Sequence, residues 1–580
     1  MRQYFFFIFL CFSISVFAQN TPNVILIMTD DQGYGDITSH GNLKIKTPNM
    51  DRIAMEGARL DNFYVSSVCA PTRASLLTGK YHIRTGTVHV SRGLDVMRAE
   101  ELTIAEVFKQ NGYKTACFGK WHNGYHYPNH PNGQGFDEYF GFCGGHFPNY
   151  FHPVLQHNGK DVETKGFITD VLTDKALDWI QENKGDPFFC YIPYNAPHTP
   201  YQVPDTYYEK YAELGFDIQS ATIYGMVENL DDNIGRILNA ITETGIEENT
   251  ILVFLTDNGP NTAHRYNAGM KGHKTYVDEG GVRVPFFIKW KDKIPSGLIS
   301  SQISAHIDIL PTITDLCRIT LPEELEIDGV SLKNYLLNEQ EPFFDRMIFS
   351  HMYFGGKLQP RKGAARTQQY RYVLNPKEEG LFDMINDPGQ EVNLKEKDPA
   401  QFEQLKKAYL EWFNDVSEDW KLDTVIPCGY TEFPRSSLSV VEARFSGDLH
   451  FHGRGFVNDW LVNWVNPDDR ITWDVNFVNS GQYRFTIEYV CPEEDLGSQI
   501  VLSVGDKSLK TRVDEAFDKP LYPSFDRAPR AGELQKPWGR IEVGRLKVKK
   551  GQTKIVLSAD HMKGCQVFEV KGVIVEKLDE

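Results

Sequence analysis

Three continuous apolar runs constrain the fold of this chain most strongly: residues 23–28 (NVILIM), 187–192 (PFFCYI) and 250–255 (TILVFL). Runs without polar alternation are typical of strands that are buried on both faces, as in parallel sheets. Stretches with helical periodicity lie between them, for example 102–111 and 169–182. Strands that alternate with helices predict an α/β domain with a largely parallel sheet.

Polar residues that could bind a metal follow two of these runs directly. Asp30 and Asp31 come after the first run, and Asp257 with Asn258 comes after the third. In parallel sheets, binding sites gather at the carboxyl ends of the strands. Hard cations such as Ca²⁺ and Mg²⁺ take several oxygen ligands from separate segments. Either pair alone is more typical of a turn or a helix cap, and the two pairs predict a metal site only together with the segment that begins at Cys69, described next.

Residues 69–79 form a highly specific segment, CAPTRASLLTG. From Arg73 onward it has the pattern of the first turns of a helix, with Leu76 and Leu77 pointing inward. This puts Cys69 just ahead of a helix N-terminus, where the backbone dipole favours a developing anion. The shorter pattern Cys-x-Pro-x-Arg is by itself just as typical of a loop cysteine. The full segment resembles the signature of type I sulfatases, which belong to the alkaline phosphatase superfamily.

The resemblance implies a modified residue and a metal ion. Cys69 is expected to be oxidised by a formylglycine-generating maturase to formylglycine (3-oxoalanine), an aldehyde whose hydrate attacks the sulfur of a sulfate ester. The resemblance also implies a metal ion, Ca²⁺ in preference to Mg²⁺, that polarises this hydrate and neutralises the charge on the sulfate oxygens. Its implied ligands are Asp30, Asp31, the modified residue 69, Asp257 and Asn258. Arg73 is implied to orient residue 69 and to offset the nearby acids.

Three further motifs match the sulfatase pattern. In the GKWH motif at 119–122, the resemblance implies that Lys120 contacts the sulfate and the hydrate, and that His122 is the base that regenerates the aldehyde. In NAPHTP at 195–200, His198 becomes a sulfate ligand. Without the resemblance, these are ordinary loop residues.

The third motif contains the second sulfate-binding lysine. In residues 272–285, a lysine precedes Glu-Gly-Gly by five residues in the family pattern, which selects Lys274 rather than the nearby Lys271. Lys274 or His198 is then expected to donate a proton to the departing alcohol. The catalytic residues implied by the resemblance are therefore Cys69, Arg73, Lys120, His122, His198 and Lys274.

The resemblance covers residues 22–415 and predicts an alkaline-phosphatase-like mixed sheet flanked by helices, with a small C-terminal α+β subdomain. From about residue 430 the pattern changes to short alternating strands separated by turns, which predicts an appended all-β sandwich. The predicted organisation is a signal peptide at 1–18, a catalytic α/β domain at 19–340, the subdomain at 341–425 and the sandwich at 430–580. The sandwich resembles carbohydrate-binding modules in pattern only, and a structural role is the alternative. Four tryptophans in it could stack on sugars or fill the core: Trp460, Trp464, Trp473 and Trp538.

The N-terminus and the net charge indicate where the protein acts and on what. Residues 1–18 carry one cation and an apolar run that ends in Val-Phe-Ala, which predicts a cleavable signal peptide of bacterial type and a secreted or periplasmic protein. This run is too short to span a bilayer. The net charge of −17 argues against nucleic acid and anionic membranes as partners. A sulfated substrate therefore requires a local basic, metal-bearing pocket.

The loop at 124–152 is rich in His, Asn, Tyr and Phe, which suit sugar rings and hydroxyl groups. A surface loop with a buried aromatic cluster is the alternative. The candidate substrate-binding residues are His126, His146, His264 and Arg265. The expected substrate is a sulfated polysaccharide or oligosaccharide, with an algal galactan favoured over an animal glycosaminoglycan.

Three functions are compatible with the sequence. The first is a formylglycine-dependent carbohydrate sulfatase, a sulfuric ester hydrolase. The second is a phosphodiester or phosphonate monoester hydrolase on the same fold, and the third is a non-catalytic sugar-binding protein. Cys69 in its full signature favours sulfate over phosphate, and the intact set of site residues argues against the non-catalytic alternative.

Overall fold

The computed structural model of the chain describes residues 21–262, 264–337, 345–530 and 532–578. The predicted signal peptide at 1–18 lies outside the described residues. Four strands form the centre of the largest sheet, and we label them in chain order: β1 (Asn23–Thr29), β2 (Lys114–Lys120), β3 (Phe188–Pro193) and β4 (Thr250–Thr256).

The central strands belong to one mixed sheet of ten strands. β4, β1, β3 and β2 lie side by side and run parallel, and Glu138–Phe142 extends this parallel core beyond β2. Antiparallel pairing begins at Phe286–Lys289 on one side and at Val154–His157 on the other. From edge to edge the order is Leu298–Ser300, Ala58–Leu60, Phe286–Lys289, β4, β1, β3, β2, Glu138–Phe142, Val154–His157 and Lys160–Glu163.

Both faces of this sheet are covered, as the continuous apolar runs predict. Val24, Leu26 and Met28 of β1 pack into one apolar cluster, whereas Ile25 and Ile27 pack into a second cluster on the opposite face. Alternate residues of a strand point to opposite faces, so an uninterrupted apolar run needs a layer on each side. The first face is covered by the helices Cys69–Thr78, Ile104–Gln110 and Ile309–Leu316, and the second by Pro48–Glu56, Ile168–Asn183 and Ile218–Glu243.

The helix Cys69–Thr78, which we call α1, is buried along its whole length. It begins at Cys69 itself, whereas the sequence pattern predicts a start near Arg73. Pro71 fits within the first turn because the backbone N–H groups there have no helical partner to lose. The helix ends at Gly79, whose φ of 69° is a left-handed conformation that glycine adopts without strain.

The remaining chain forms the two further units that the sequence predicts. An antiparallel sheet joins Ile348–His351, Gly363–Arg366, Tyr370–Asn375 and Glu378–Asp383, and the helix Pro399–Ser417 packs on it. Beyond it, two six-stranded sheets enclose one apolar core. The predicted fold class is thereby confirmed, while the exact domain boundaries stay predictions. Trp464 and Trp473 lie fully buried in that core, which favours the structural alternative for these two side chains. The other short α-helices and strands are Asp205–Glu213, Glu279–Val282, Lys333–Leu336, Phe63–Tyr64, Arg283–Val284 and Ser304–Ala305.

The sandwich strands follow the predicted alternation. One sheet contains Ile426–Cys428, Arg444–Phe445, Ile471–Phe477, Gln499–Val504, Lys507–Arg512 and Gly551–His561. The other contains Arg435–Ser439, His450–Phe451, Leu461–Val462, Gly481–Val490, Gly539–Val548 and Glu569–Lys577.

Candidate active site

The carboxyl ends of β1 and β4 bring four predicted metal ligands together. The two strands pair in parallel up to Thr29 and Thr256, so the residues that follow lie side by side. The backbone N–H of Asp31 donates to Asp257 Oδ1 at 3.1 Å, and Asn258 Nδ2 donates to Asp31 Oδ1 at 2.7 Å. Asp31 has a φ of 64°, a left-handed conformation that is uncommon for aspartate and often marks a functional turn.

Three oxygen atoms in this group fit a hard cation. Asp30 Oδ1, Asp31 Oδ2 and Asn258 Oδ1 are buried and accept no hydrogen bond from any described residue. Buried acceptors are normally satisfied, so a cluster of three such oxygens is typical of an ion site. In addition, burial and the negative charge of Asp30 raise the pKa of Asp257, and a bound cation would relieve this cost.

Cys69 lies at the same place, as the first residue of α1. Its Sγ and carboxylate oxygens of Asp30 and Asp257 all lie within 4.8 Å of one another. The side chain is 2% exposed, and burial raises the pKa of the thiol. A buried thiol of raised pKa is a poor nucleophile, because the thiolate is the reactive form. The position therefore suits a residue whose chemistry is changed by modification rather than one that reacts as a thiol.

Three cationic side chains surround the three carboxylates. Arg73 lies 2.8 Å from Asp257, and Lys120 lies 2.5 Å from Asp30. Lys274 Nζ lies 2.7 Å from Asp31 Oδ1. The formal charges of these three cations and three carboxylates therefore sum to zero.

The depth of these cations differs, which gives the site an inner end and a mouth. The Arg73 and Lys120 side chains are 0% and 1% exposed, whereas those of Lys274 and His198 are each 13% exposed. Lys271, the competing lysine, pairs instead with Glu378 at 3.0 Å.

His122 is held as a neutral ring with one free nitrogen. Its Nε2 lies 3.0 Å from the carbonyl of Val90, and because a carbonyl only accepts, Nε2 carries the hydrogen. Nδ1 is buried and has no hydrogen-bond partner among the described residues. Burial lowers the pKa of His122 well below its usual range, and the charge of Lys120 lowers it further. Nδ1 can therefore accept a proton.

His198 follows the carboxyl end of β3, and its ring lies next to the carboxylates that follow β1. Its Nδ1 lies 2.7 Å from the carbonyl of Thr199 and so carries the hydrogen, while Nε2 lies 3.7 Å from Asp31 Oδ2. Burial, reinforced by Lys274, lowers the pKa of His198 to about 3. The ring of His146 stands edge-on to that of His198, with centroids 5.7 Å apart.

The other candidate substrate-binding residues lie in different surroundings. His126 Nε2 lies 3.0 Å from Glu442 of the appended sandwich. Arg265 is buried, and its guanidinium bonds Asp36 at 2.5 Å and the carbonyl of Asp31 at 3.0 Å, so it braces the turn after β1. His264 is exposed.

Two residues next to the site, Asn123 and Asp95, are not part of any motif. Asn123 Nδ2 donates to the carbonyl of Ala70 at 3.1 Å and so ties the GKWH loop to the first turn of α1. Asp95 lies 3.8 Å from His122 Nε2, and burial raises the pKa of its carboxyl to about 7. The only local signal for Asn123 is its position directly after the motif, and Asp95 has no local signal.

Comparisons with known proteins agree with this geometry. The sulfatase family profile matches residues 22–319, and the profile of the N-sulphoglucosamine sulphohydrolase C-terminal region matches 271–418. The chain is 32% identical over 371 residues to N-acetylgalactosamine-6-sulfatase of Mus musculus, covering 57% of this chain and 69% of that protein.

Two solved structures are similar over most of their length. Ps i-CgsB in complex with k-i-k-neocarrahexaose has a TM-score of 0.65 and 30% identity, over 70% of this chain and 95% of that one. BT4656 in complex with its substrate D-glucosamine-2-N,6-O-disulfate has a TM-score of 0.56 and 25% identity, over 69% and 99%.

The mixed sheet and the polar cluster at its carboxyl edge define an enzyme of the alkaline-phosphatase-like superfamily. Within that class, the chain belongs to the sulfatase family and is a sulfuric ester hydrolase.

Proposed function

We propose that this sulfatase removes sulfate from sulfated carbohydrates, with formylglycine formed from Cys69 and Ca²⁺ as its metal. The observation that carries the proposal is that Cys69 lies with the carboxylates of Asp30 and Asp257 at two strand ends, where three buried oxygens have no hydrogen-bond donor among the described residues. Asp30, Asp31, Asp257 and Asn258 would hold the ion together with residue 69. When present, formylglycine supplies a nucleophilic oxygen and calcium supplies positive charge beside the sulfate.

The chain's own cations would bind and orient the sulfate group. Without a metal the local charges cancel, so a divalent cation leaves the pocket positive and attractive to a sulfate ester, although the protein as a whole is acidic. Lys120 would contact the sulfate from the inner end, whereas Lys274 and His198 would contact it from the mouth. Preorganised charges of this kind stabilise the charge that develops on the sulfuryl oxygens.

Two proton transfers fall to residues with suitable hydrogen-bond states. His122 Nδ1 is a buried free acceptor among the described residues and would take the proton that regeneration of the aldehyde releases. Either Lys274 or His198 would protonate the departing alcohol. In the present hydrogen-bond arrangement Lys274 carries the available proton, since the one ring hydrogen of neutral His198 is bonded to Thr199.

A carbohydrate substrate is supported by the relatives. One similar structure is described with neocarrahexaose and another with a disulfated glucosamine. We favour a galactan-type oligosaccharide because the first of these is the more similar in fold and sequence. We further propose that the protein is secreted or exported to the periplasm after removal of residues 1–18. Formylglycine at position 69 would in addition require a maturase in the same host. Across the described residues, no helix is long and apolar enough to cross a membrane.

The direct test measures inorganic sulfate released from a panel of sulfated galactan and glycosaminoglycan oligosaccharides. The protein is first checked by peptide mass spectrometry for formylglycine at position 69. Cys69→Ala is expected to abolish release, whereas Cys565→Ala, at an exposed cysteine of the sandwich, should leave it unchanged. Chelation should remove activity, and Ca²⁺ should restore it better than Mg²⁺. Sulfate release that persists in Cys69→Ala contradicts the mechanism. Phosphate monoester or diester turnover without sulfate release would favour the phosphoesterase alternative.

A further inference from the structure

A segment of the appended sandwich reaches the loop that carries His198. This crossing segment, residues 513–530, leaves the strand Lys507–Arg512. Phe525 packs against Phe151 of the catalytic domain, with the rings tilted and their centroids 5.0 Å apart.

Hydrogen bonds continue this contact to the active site. Gln202 Nε2 donates to Asp526 Oδ1 at 2.6 Å, and the backbone N–H of Tyr150 donates to Gln202 Oε1 at 2.7 Å. The Tyr150 hydroxyl then donates to the carbonyl of His198 at 2.9 Å. The crossing segment is therefore positioned relative to the mouth of the pocket by hydrogen bonds through Gln202 and Tyr150.

Two arginines of this segment are used differently. Arg527 binds the catalytic domain, where its guanidinium donates to the carbonyl of Val203 at 3.1 Å and pairs with Asp205. Arg530 Nε lies 3.0 Å from Asp526 Oδ2, whereas Nη1 is buried without a hydrogen-bond acceptor among the described residues. Arg527 is thus an anchor, whereas Arg530 keeps donors available for a ligand.

His146 has the same property and lies within electrostatic reach of Arg530. Both ring nitrogens of His146 are buried with no hydrogen-bond partner in the described chain, and the residue is 6% exposed. Burial lowers the pKa of His146 well below its usual range, and the charge of Arg530 acts in the same direction. The sandwich also holds the His146 backbone, because Asn458 Nδ2 donates to its carbonyl at 3.3 Å.

The acidic side chains nearby do not satisfy every hydrogen-bond donor of Arg530. Asp526 Oδ1 accepts from Gln202 and its Oδ2 pairs with Arg530 Nε, so that Arg530 Nη1 is left without an acceptor among the described residues. Burial raises the pKa of Glu533. The positive charges of Arg530, Arg454 and Lys274 act in the opposite direction but do not cancel this effect. A buried guanidinium with open donors is best satisfied by an anionic oxygen acceptor, and a neutral histidine adds one further donor.

We propose that Arg530 and His146 form a second anion subsite, at which the appended domain binds another sulfate ester or a carboxylate of the same oligosaccharide. This inference rests on the proposed function, because the subsite adjoins the pocket for the scissile sulfate. It makes the sandwich a contributor to substrate selection and predicts a preference for sugars with two anionic groups.

The test compares oligosaccharides of matched length with one sulfate, two sulfates, or one sulfate and one uronate carboxylate. Binding is measured by calorimetry on the full chain carrying Cys69→Ala, so the readout does not depend on turnover. Arg530→Ala is expected to weaken binding of the doubly anionic ligands by about 10- to 100-fold, as loss of a buried charged hydrogen bond implies. The singly sulfated ligand should change by less than about twofold, and the ratio between sulfate and carboxylate ligands identifies the second anion.

Three further variants separate recognition from structure. Arg530→Lys should keep part of the preference, since the charge remains but the planar donors are lost. Arg540→Ala, at an exposed arginine of the sandwich, should alter neither ligand class. Arg527→Ala removes the anchor of the same segment and should weaken the doubly anionic ligands more than the singly sulfated one, because Arg530 then loses its fixed position. Equal losses on all ligands in Arg530→Ala, or no loss, would overturn the subsite.

The two proposals fail in distinguishable ways. Sulfate release by the unmutated protein with no selectivity change in Arg530→Ala rejects the subsite and keeps the sulfatase assignment. Absence of sulfate release with selective binding intact rejects the proposed substrate turnover and supports the subsite. Failure to bind any sulfated ligand rejects both.

Discussion

Individual protonation states decide what the site residues can do, and Asp95 is the one whose state is easiest to test. Burial raises the pKa of its carboxyl to about 7, from an ordinary value of 3.8. Between these values the folded protein keeps a proton that the unfolded chain releases. The free energy of unfolding therefore contains a component that decreases as pH rises from about 4 to about 7 and is constant above that.

Asp95→Asn removes this component. Relative to the unmutated protein, we expect the variant to gain about 2 to 3 kcal/mol more unfolding free energy at pH 8 than at pH 5. Denaturant unfolding at the two pH values measures the difference. Asp186→Asn, at an exposed aspartate, should show no such pH dependence. An equal effect of Asp95→Asn at both pH values contradicts a raised pKa.

The proton donor to the leaving alcohol is a second question at the scale of single residues. Lys274 is partly exposed at the mouth of the pocket and has ammonium protons to donate. The one ring hydrogen of neutral His198 is bonded to the carbonyl of Thr199. We expect Lys274→Ala to slow hydrolysis of a sugar sulfate about 100-fold or more beyond its effect on p-nitrophenyl sulfate, whose leaving group needs no proton. His198→Ala should slow both substrates similarly. Steady-state kinetics with the two substrates decide, and selective loss in His198→Ala instead would reverse the assignment.

At the scale of elements, the loop after Glu138–Phe142 determines where His122 lies. A Cβ at Gly145 would come within 2.2 Å of His122 Nε2, so only glycine allows this approach. Gly145→Ala is expected to displace the ring and reduce kcat at least about tenfold, since small misplacements of catalytic groups are costly. Gly185→Ala has open space around its Cβ and serves as the control. Unchanged kcat in Gly145→Ala would mean that the ring adjusts without loss.

The sequence predicts the strand ends at the site but not the contacts between its loops. The ends of β1 and β4 were predictable because uninterrupted apolar runs identify buried parallel strands, and parallel strands deliver their following residues to one edge. The contact of Gly145 with His122 and the pairing of His126 with Glu442 were not predictable. Such contacts depend on loop geometry or join distant segments, and no periodicity reports them. The helix α1 begins at Cys69 rather than near Arg73, where the sequence pattern predicts its start. Its first turn is buried by distant segments, and the local sequence does not report that burial.

At the scale of the whole molecule, the sandwich is joined to the catalytic domain by specific contacts. His126 pairs with Glu442, and the guanidinium of Arg92 donates to backbone carbonyls of Arg454 and Gly455. Interfaces of this kind couple the stabilities of the two units. The two units are therefore expected to unfold together rather than as independent modules.

The stacked pair Tyr127 and Phe433 offers the cleanest measure of this coupling. Their rings lie 4.9 Å apart at an angle of 11°, one from each unit. In a double-mutant cycle with Tyr127→Ala and Phe433→Ala, followed by calorimetric unfolding, we expect a coupling energy of about 0.5 to 1.5 kcal/mol and one shared transition. The combination of Tyr127→Ala with Phe216→Ala should be additive, because Phe216 packs against Tyr211 and Tyr224. Two separate transitions, with Phe433→Ala shifting only one, would mean that the sandwich is merely tethered. It could then not hold Arg530 at the mouth of the pocket with the precision that recognition of a second anion requires.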